Sequence, residues 1–221
     1  MKTFLRLFLA ISAVYITLIL FHLNEFGAFI KPLLLLSLIL AVYKASTFKS
    51  KPILLIALLF SWLGDVLLIF VNRGELFFIL GLVSFLISHL FYIALFLKQQ
   101  SATPLNRAFF GIGIAATLAY LGTFLTIIVP HLGSLKLPVI IYAAVICIML
   151  AVAIRGALVW KPNANIMILI GAISFIASDS LLAFNKFYNE FAMAGFFTIS
   201  TYLLAQFCIT RGILRLNEQD R

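Results

Sequence analysis

Residues 51–71 read KPILLIALLFSWLGDVLLIFV, and the way this stretch must be accommodated decides the fold. It matches the about 20 helical residues needed to span the hydrocarbon core of a bilayer. Its run from Ile53 to Phe60 has no period-two alternation, so it is not a strand of a membrane barrel. With no water to pair the backbone, a helix is the one conformation that satisfies the segment internally. The stretch also carries a carboxyl, Asp65, deep inside it. A carboxylate near mid-bilayer costs about 2.5–3.5 kcal/mol on insertion scales, and such residues mark substrate sites or proton paths.

Seven more apolar segments of spanning length follow the same pattern, near 4–22, 27–46, 75–97, 107–130, 137–160, 165–184 and 190–212. The sequence therefore predicts an all-α, polytopic membrane bundle of eight transmembrane helices, forming one integral membrane domain over residues 1–221. Composition agrees. The chain is 64% hydrophobic and 10% charged, with a mean hydropathy of +1.19, whereas soluble domains are about half apolar and about a quarter charged. The first segment runs past the length of a signal-peptide core and lacks a small-x-small cleavage site, so it reads as an uncleaved helix. Cys147 and Cys208 fall within helices and read as small buried hydrophobes.

The net charge of +9 is topological. Lys2, Arg6, Lys44, Lys49, Lys51, Lys98, Arg107, Arg155, Lys161, Arg211, Arg215 and Arg221 fall on one side of an eight-helix arrangement; Lys31, Arg73, Lys136 and Lys186 fall on the other. Twelve against four is the positive-inside pattern with both termini cytoplasmic, as in a bacterial inner (plasma) membrane, and carries no sign of nucleic-acid binding.

A second intramembrane acid, Asp179, lies 114 positions after Asp65 (179 − 65) in similar surroundings. Asp65, Leu67, Leu68 and Phe70 match Asp179, Leu181, Leu182 and Phe184. At the same offset Phe77, Gly81, Ser84 and Leu90 match Phe191, Gly195, Thr198 and Leu204. An offset of four helices preserves orientation, so the pattern reads as two parallel four-helix repeats. In repeat-built membrane proteins the substrate site commonly lies between the halves. Chance similarity between two amphipathic helices is the plainer reading.

The fourth and eighth helices carry polar or small stripes: Gly81, Ser84, Ser88 and Tyr92 with His89 at the edge, and Gly195, Thr198, Tyr202 and Gln206. Steps of three and four keep each set on one face. Glycines and serines at such spacing are explained by helix packing. Tyr92, Tyr202, Gln206 and His89 bring more polar functionality than packing needs, and join Ser178, next to Asp179, as candidates to face a polar chamber. Each aspartate has a bland reading too, as a hydrogen-bonded fixer of helix register.

Other chemistries find little support. His22, His89 and His131 show no metal-ligand spacing, and no metal or other cofactor is expected. Gly171-Ala-Ile-Ser174-Phe and Gly81-Leu-Val-Ser84-Phe each lack the closing glycine of a nucleophile elbow. Lys31-Pro32 is expected to open the second helix at the outer interface, where an ammonium meets a phosphate headgroup or simply anchors the helix.

Lys31-Pro32, Leu63-Gly64-Asp65, the string Phe78-x-x-Gly81-x-x-x-Phe85-x-x-x-His89-x-x-Tyr92, Ser178-Asp179 and Tyr202-x-x-x-Gln206 together resemble the YhhN family of eight-helix membrane proteins, which includes the lysoplasmalogenases. The resemblance implies hydrolysis of the vinyl-ether bond of a lysophospholipid, and implies that Asp65 and Asp179 matter most. That chemistry suits the residues. A vinyl ether is protonated at its β-carbon to an oxocarbenium ion that water attacks, so an acid and a nearby anion or base suffice. The expected catalytic set is Asp65, Asp179 and His89, with Lys31, Tyr92, Ser178, Tyr202 and Gln206 binding the substrate. The alternatives are a proton-coupled carrier of a small solute or lipid using the same aspartates, and a metal-dependent hydrolase similar to the ceramidases. Against the carrier, the prolines at 32, 52, 104, 130, 138 and 162 are all expected at helix ends or in loops, leaving no helix broken at mid-membrane.

Overall fold

The computed structural model describes residues 1–21 and 23–218, the side chains of 24–26 excepted; His22 and Arg221, used in the sequence reading, lie outside the described residues. Eight long helices follow one another: α1 (Lys2–Leu20), α2 (Asn24–Tyr43), α3 (Lys51–Ile69), α4 (Glu75–Leu97), α5 (Arg107–Ile128), α6 (Lys136–Val159), α7 (Ala164–Ala183) and α8 (Ala194–Glu218). No strand occurs among the described residues. Seven helices are long and apolar enough to cross a membrane, and α2 contributes the shorter apolar stretch Gly27–Tyr43. Large apolar side chains point outward, Phe29 being 81% exposed. Lipid, as apolar as the side chains themselves, covers such a surface; the chain is a multi-pass membrane protein.

The chain divides into two compact units, Met1–Leu95 and Phe96–Arg221. In the first, α1 packs on α2 and α2 on α3. A buried polar clamp joins α3 to α4: the Ser61 and Ser88 hydroxyls lie 2.7 Å apart, and Ser88 also donates to the Ala57 carbonyl at 2.8 Å. Glycines let these helices approach. A Cβ at Gly64 would stand 2.7 Å from the Phe85 ring, and one at Gly81 would stand 3.0 Å from Leu68. Lys51, in the first turn of α3, donates to the Tyr43 and Ala45 carbonyls at 2.9 and 2.7 Å. It caps the end of α2 and closes the short connection, where a cation also complements the helix dipole.

In the second unit, Asn106 caps α5 by accepting from the Ala108 and Phe109 N–H groups. The closest approach is between α7 and α8: a Cβ on Gly171 would stand 2.9 Å from the Ile209 nitrogen and 3.0 Å from the Ala205 oxygen. Small residues with backbones nearly touching are the usual basis of helix association in lipid.

Two boundaries differ from those read off hydropathy. The second helix does not open at Lys31-Pro32 but at Asn24, so both residues lie two turns inside it. Pro32 is thus within a helix rather than at an end. Packing against α1 holds the extra turns: a Cβ on Gly27 would stand only 3.2 Å from the Tyr15 ring. Pro32 has no N–H to give the Ala28 carbonyl, and its own carbonyl accepts from the Trp62 indole at 3.0 Å. The eighth helix starts at Ala194, after a π turn over Phe184–Tyr188 and a left-handed Met193 (φ 59°), and continues to Glu218. Its polar end is held by Asn217, which donates to Gln99 at 3.0 Å and to the Ile213 carbonyl at 2.8 Å.

Candidate functional site

Each unit holds one of the two intramembrane acids, and they have different partners. Asp65 sits four residues from the end of α3, its side chain 4% exposed. The Lys31 ammonium of α2 lies 3.6 Å from its Oδ1, with the lysine side chain 14% exposed. A charge so deeply buried is retained only when paired. Because α2 begins at Asn24, Lys31 faces the acid from inside the helix instead of anchoring its start. Tyr15 of α1 stands close enough to Asp65 to feel its charge.

Beside the pair is a cavity of about 260 Å³, bounded by the end of α1, the first two turns of α2, and the end of α3 with its following turn. Tyr15, Gly27, Lys31 and Asn72 line it, with Leu18, Leu68 and other apolar side chains. It lies where the C-terminal ends of α1 and α3 meet the N-terminal turns of α2.

The remaining candidates of the first unit lie within its packing. Tyr92, fully buried, hydrogen-bonds with Ser61, one turn before Asp65, and so joins the Ser61–Ser88 clamp. His89 is fully buried on α4, one turn after Phe85. Ser84 bonds back to the Leu80 carbonyl at 2.9 Å.

In the second unit, Asp179 accepts a hydrogen bond at 2.5 Å from the phenol of Tyr142, on α6. At the next residue of α7, the hydroxyls of Ser180 and of Tyr120 on α5 are hydrogen-bonded to each other. Ser178 spends its hydroxyl on the Thr198 carbonyl of α8, at 2.9 Å. Gln206 donates to the Tyr202 hydroxyl at 3.4 Å, and the Tyr202 ring meets Phe175 edge-on at 5.6 Å. Ser178 and Tyr202 therefore join α7 to α8, and Gln206 braces Tyr202 from one turn further along α8; Gln206 and Tyr202 are buried.

The sequence reading missed Tyr15 and Tyr142. The offset of 114 carries no signal for either. At that offset Tyr142 and Val145 on α6 stand against Ala28 and Lys31 on α2 (142 − 114 and 145 − 114), so neither partner recurs. Each pair is spaced by three, on one helix face. In α2 the second position carries the acid's partner, in α6 the first. The acid is common to the two surroundings, and its partner is a cation in one and a phenol in the other.

The YhhN family model matches residues 26–213. Two curated relatives are a mouse (Mus musculus) protein named lysoplasmalogenase TMEM86B, 33% identical over 160 residues, and its rat (Rattus norvegicus) namesake, 32% identical over 160 residues. The aligned part covers 72% of this chain, and 62% and 60% of those proteins; the chain thus spans about three fifths of their length. No solved structure matches.

Proposed function

This chain belongs to the YhhN family, and on that premise we propose that it hydrolyses the vinyl-ether bond of 1-alkenyl lysophospholipids. The products are a fatty aldehyde and a glycerophospho-ethanolamine or -choline. The names of the mouse and rat relatives support this reading and do not favour a carrier. The observation that carries it is the Lys31–Asp65 pair beside a cavity at the helix ends. It offers a carboxyl for proton chemistry and a cation for a headgroup.

The chemistry asks for few groups. A proton goes to the β-carbon of the enol ether, and the oxygen lone pair stabilises the resulting cation. Water adds to that cation and loses a proton, and the hemiacetal collapses to aldehyde and alcohol. One carboxyl to give a proton and one to take it suffice. Asp65 and Asp179 are the proposed carriers. Tyr142 positions the second through its 2.5 Å hydrogen bond. Within its own unit Tyr92 is proposed to hold the helices around Asp65, and Ser178, Tyr202 and Gln206 those around Asp179, rather than to touch substrate. His89 is a buried positioning residue of α4 in this scheme. The excess of cations on one face further supports cytoplasmic termini and a bacterial inner membrane.

The test is aldehyde release by purified protein from 1-alkenyl lysophospholipid beside its 1-acyl counterpart. Aldehyde from the first, with no fatty acid from the second, is expected. Asp65→Asn and Asp179→Asn should each abolish release in protein that still inserts and folds. Near-normal turnover in both variants refutes the assignment.

A further inference from the structure

The cavity of the first unit has a one-sided chemistry. Of the residues that line it, Lys31 alone is charged, and the other polar side chains are Tyr15 and Asn72. An ammonium, a phenol O–H and an amide NH2 are all donors. The one charge in the lining is positive, and the phenol and the amide can each donate beside it, so the lining suits an anion rich in acceptor oxygens. At about 260 Å³ it lies below the about 300–1,000 Å³ of pockets that enclose drug-sized ligands, so it has room for a polar head and none for an acyl-length chain.

Lys31 faces two ways. It lines the cavity, and it stands 3.6 Å from Asp65. That separation is long for a charge-assisted hydrogen bond, whose N···O distance is about 2.7–2.9 Å. The ammonium neutralises the carboxylate without being locked to it, and its flexible stem leaves it free to serve a second anion.

We infer that this cavity is a phosphate subsite, in which Lys31 binds the phosphodiester of the lysophospholipid headgroup and in doing so loosens its hold on Asp65. The inference rests on the proposed function and deepens it. Lys31 is the arbiter between the two anions: with the site empty it neutralises Asp65, and with a phosphate present it divides its charge. Substrates that carry the phosphate are therefore selected over neutral 1-alkenylglycerols. Gly27 contributes by leaving room for the Tyr15 ring at the cavity wall.

The decisive measurement is binding rather than turnover. The probes are a 1-alkyl lysophosphoethanolamine, whose saturated ether resists hydrolysis, and the matching 1-alkylglycerol, each titrated into detergent-purified protein. The phosphate-bearing probe should bind about tenfold or more tightly than the neutral one, a difference of about 1.4 kcal/mol. Lys31→Gln should remove the difference. Because that variant leaves a buried carboxylate unpaired, Lys31→Gln with Asp65→Asn is run beside it, and should also fail to discriminate. Asp65→Asn alone should tighten binding of the phosphate probe, since it frees the ammonium from its partner; a purely structural role for Lys31 predicts no such gain. Soluble glycerophosphoethanolamine should compete with the phosphate probe, while equal inorganic phosphate should compete less if the lipid headgroup is the true ligand. Equal affinities in the wild type, or a preference that survives in the double variant, overturn the inference. Failure of aldehyde release refutes the hydrolase reading instead, and the two results are read from different samples.

Discussion

Removing the charges of Lys31 and Asp65 one at a time and then together should expose a large coupling between them. At 3.6 Å, with an effective dielectric constant of about 20, the Coulomb attraction is about 4.6 kcal/mol. The side chains are 14% and 4% exposed, so solvent screens the pair little. Desolvation of both ions offsets much of that attraction, and the net worth of the pair is correspondingly small. The cost of breaking it is not. Lys31→Met keeps the aliphatic stem and strands a buried carboxylate; Asp65→Asn keeps the shape and strands a buried ammonium. Each should cost about 3 kcal/mol, as loss of one partner of a buried pair does. The double variant strands nothing, so its cost should fall well below the sum, with a coupling energy of about 2–3 kcal/mol. The assay is unfolding free energy by steric trapping in lipid bicelles, at low and at high ionic strength. Coupling that survives salt identifies a buried pair. Additivity within about 0.5 kcal/mol refutes the reasoning, because it would mean that the ammonium and the carboxylate do not neutralise each other.

The helix contacts yield sharper tests of packing. Gly171→Ala forces a methyl to within 2.9 Å of backbone nitrogen and 3.0 Å of backbone oxygen on α8, neither of which can rotate away. It should destabilise the protein by about 1–3 kcal/mol, while Gly111→Ala, with nothing within 4 Å, should be neutral in the same unfolding assay. Tyr142→Phe removes the donor to Asp179. Stability should fall by no more than about 1.7 kcal/mol, the most that such hydrogen bonds contribute in a membrane bundle. Aldehyde release should fall about tenfold, or 1.36 kcal/mol of barrier; unchanged release would remove Tyr142 from the positioning role. Ser88→Ala cuts the clamp between α3 and α4. It should lower stability by about 0.6–1.7 kcal/mol and leave phosphate-probe binding within about twofold, about 0.4 kcal/mol; a loss of binding as large as that of Lys31→Gln would shift the headgroup role away from Lys31.

The eight helices and the two acids were legible in the sequence by itself, because both are local quantities. Hydropathy summed over about 20 residues fixes where a helix must cross, and a carboxyl within such a run stands out at any depth. The family resemblance was legible too, and the match over residues 26–213 bears it out. What surrounds each acid was not legible. Lys31 meets Asp65 from 34 positions away and Tyr142 meets Asp179 from 37, and neither pairing leaves a trace in local composition. Reading Lys31-Pro32 as the opening of the second helix put its start too late, because nothing local to that pair registers Gly27 packing on the Tyr15 ring, which holds the two turns before it and turns Lys31 inward. The eighth apolar segment likewise ended near Gly212, whereas the helix runs on to Glu218, where Asn217 bonds Gln99. Tyr92, Ser178 and Tyr202 were recognised as polar groups in apolar helices, yet only the packing shows that they bind helix to helix. The sequence by itself determined which segments enter the membrane and which charges go with them; tertiary structure alone decided which group partners each acid, because that depends on distances between helices that no single segment encodes.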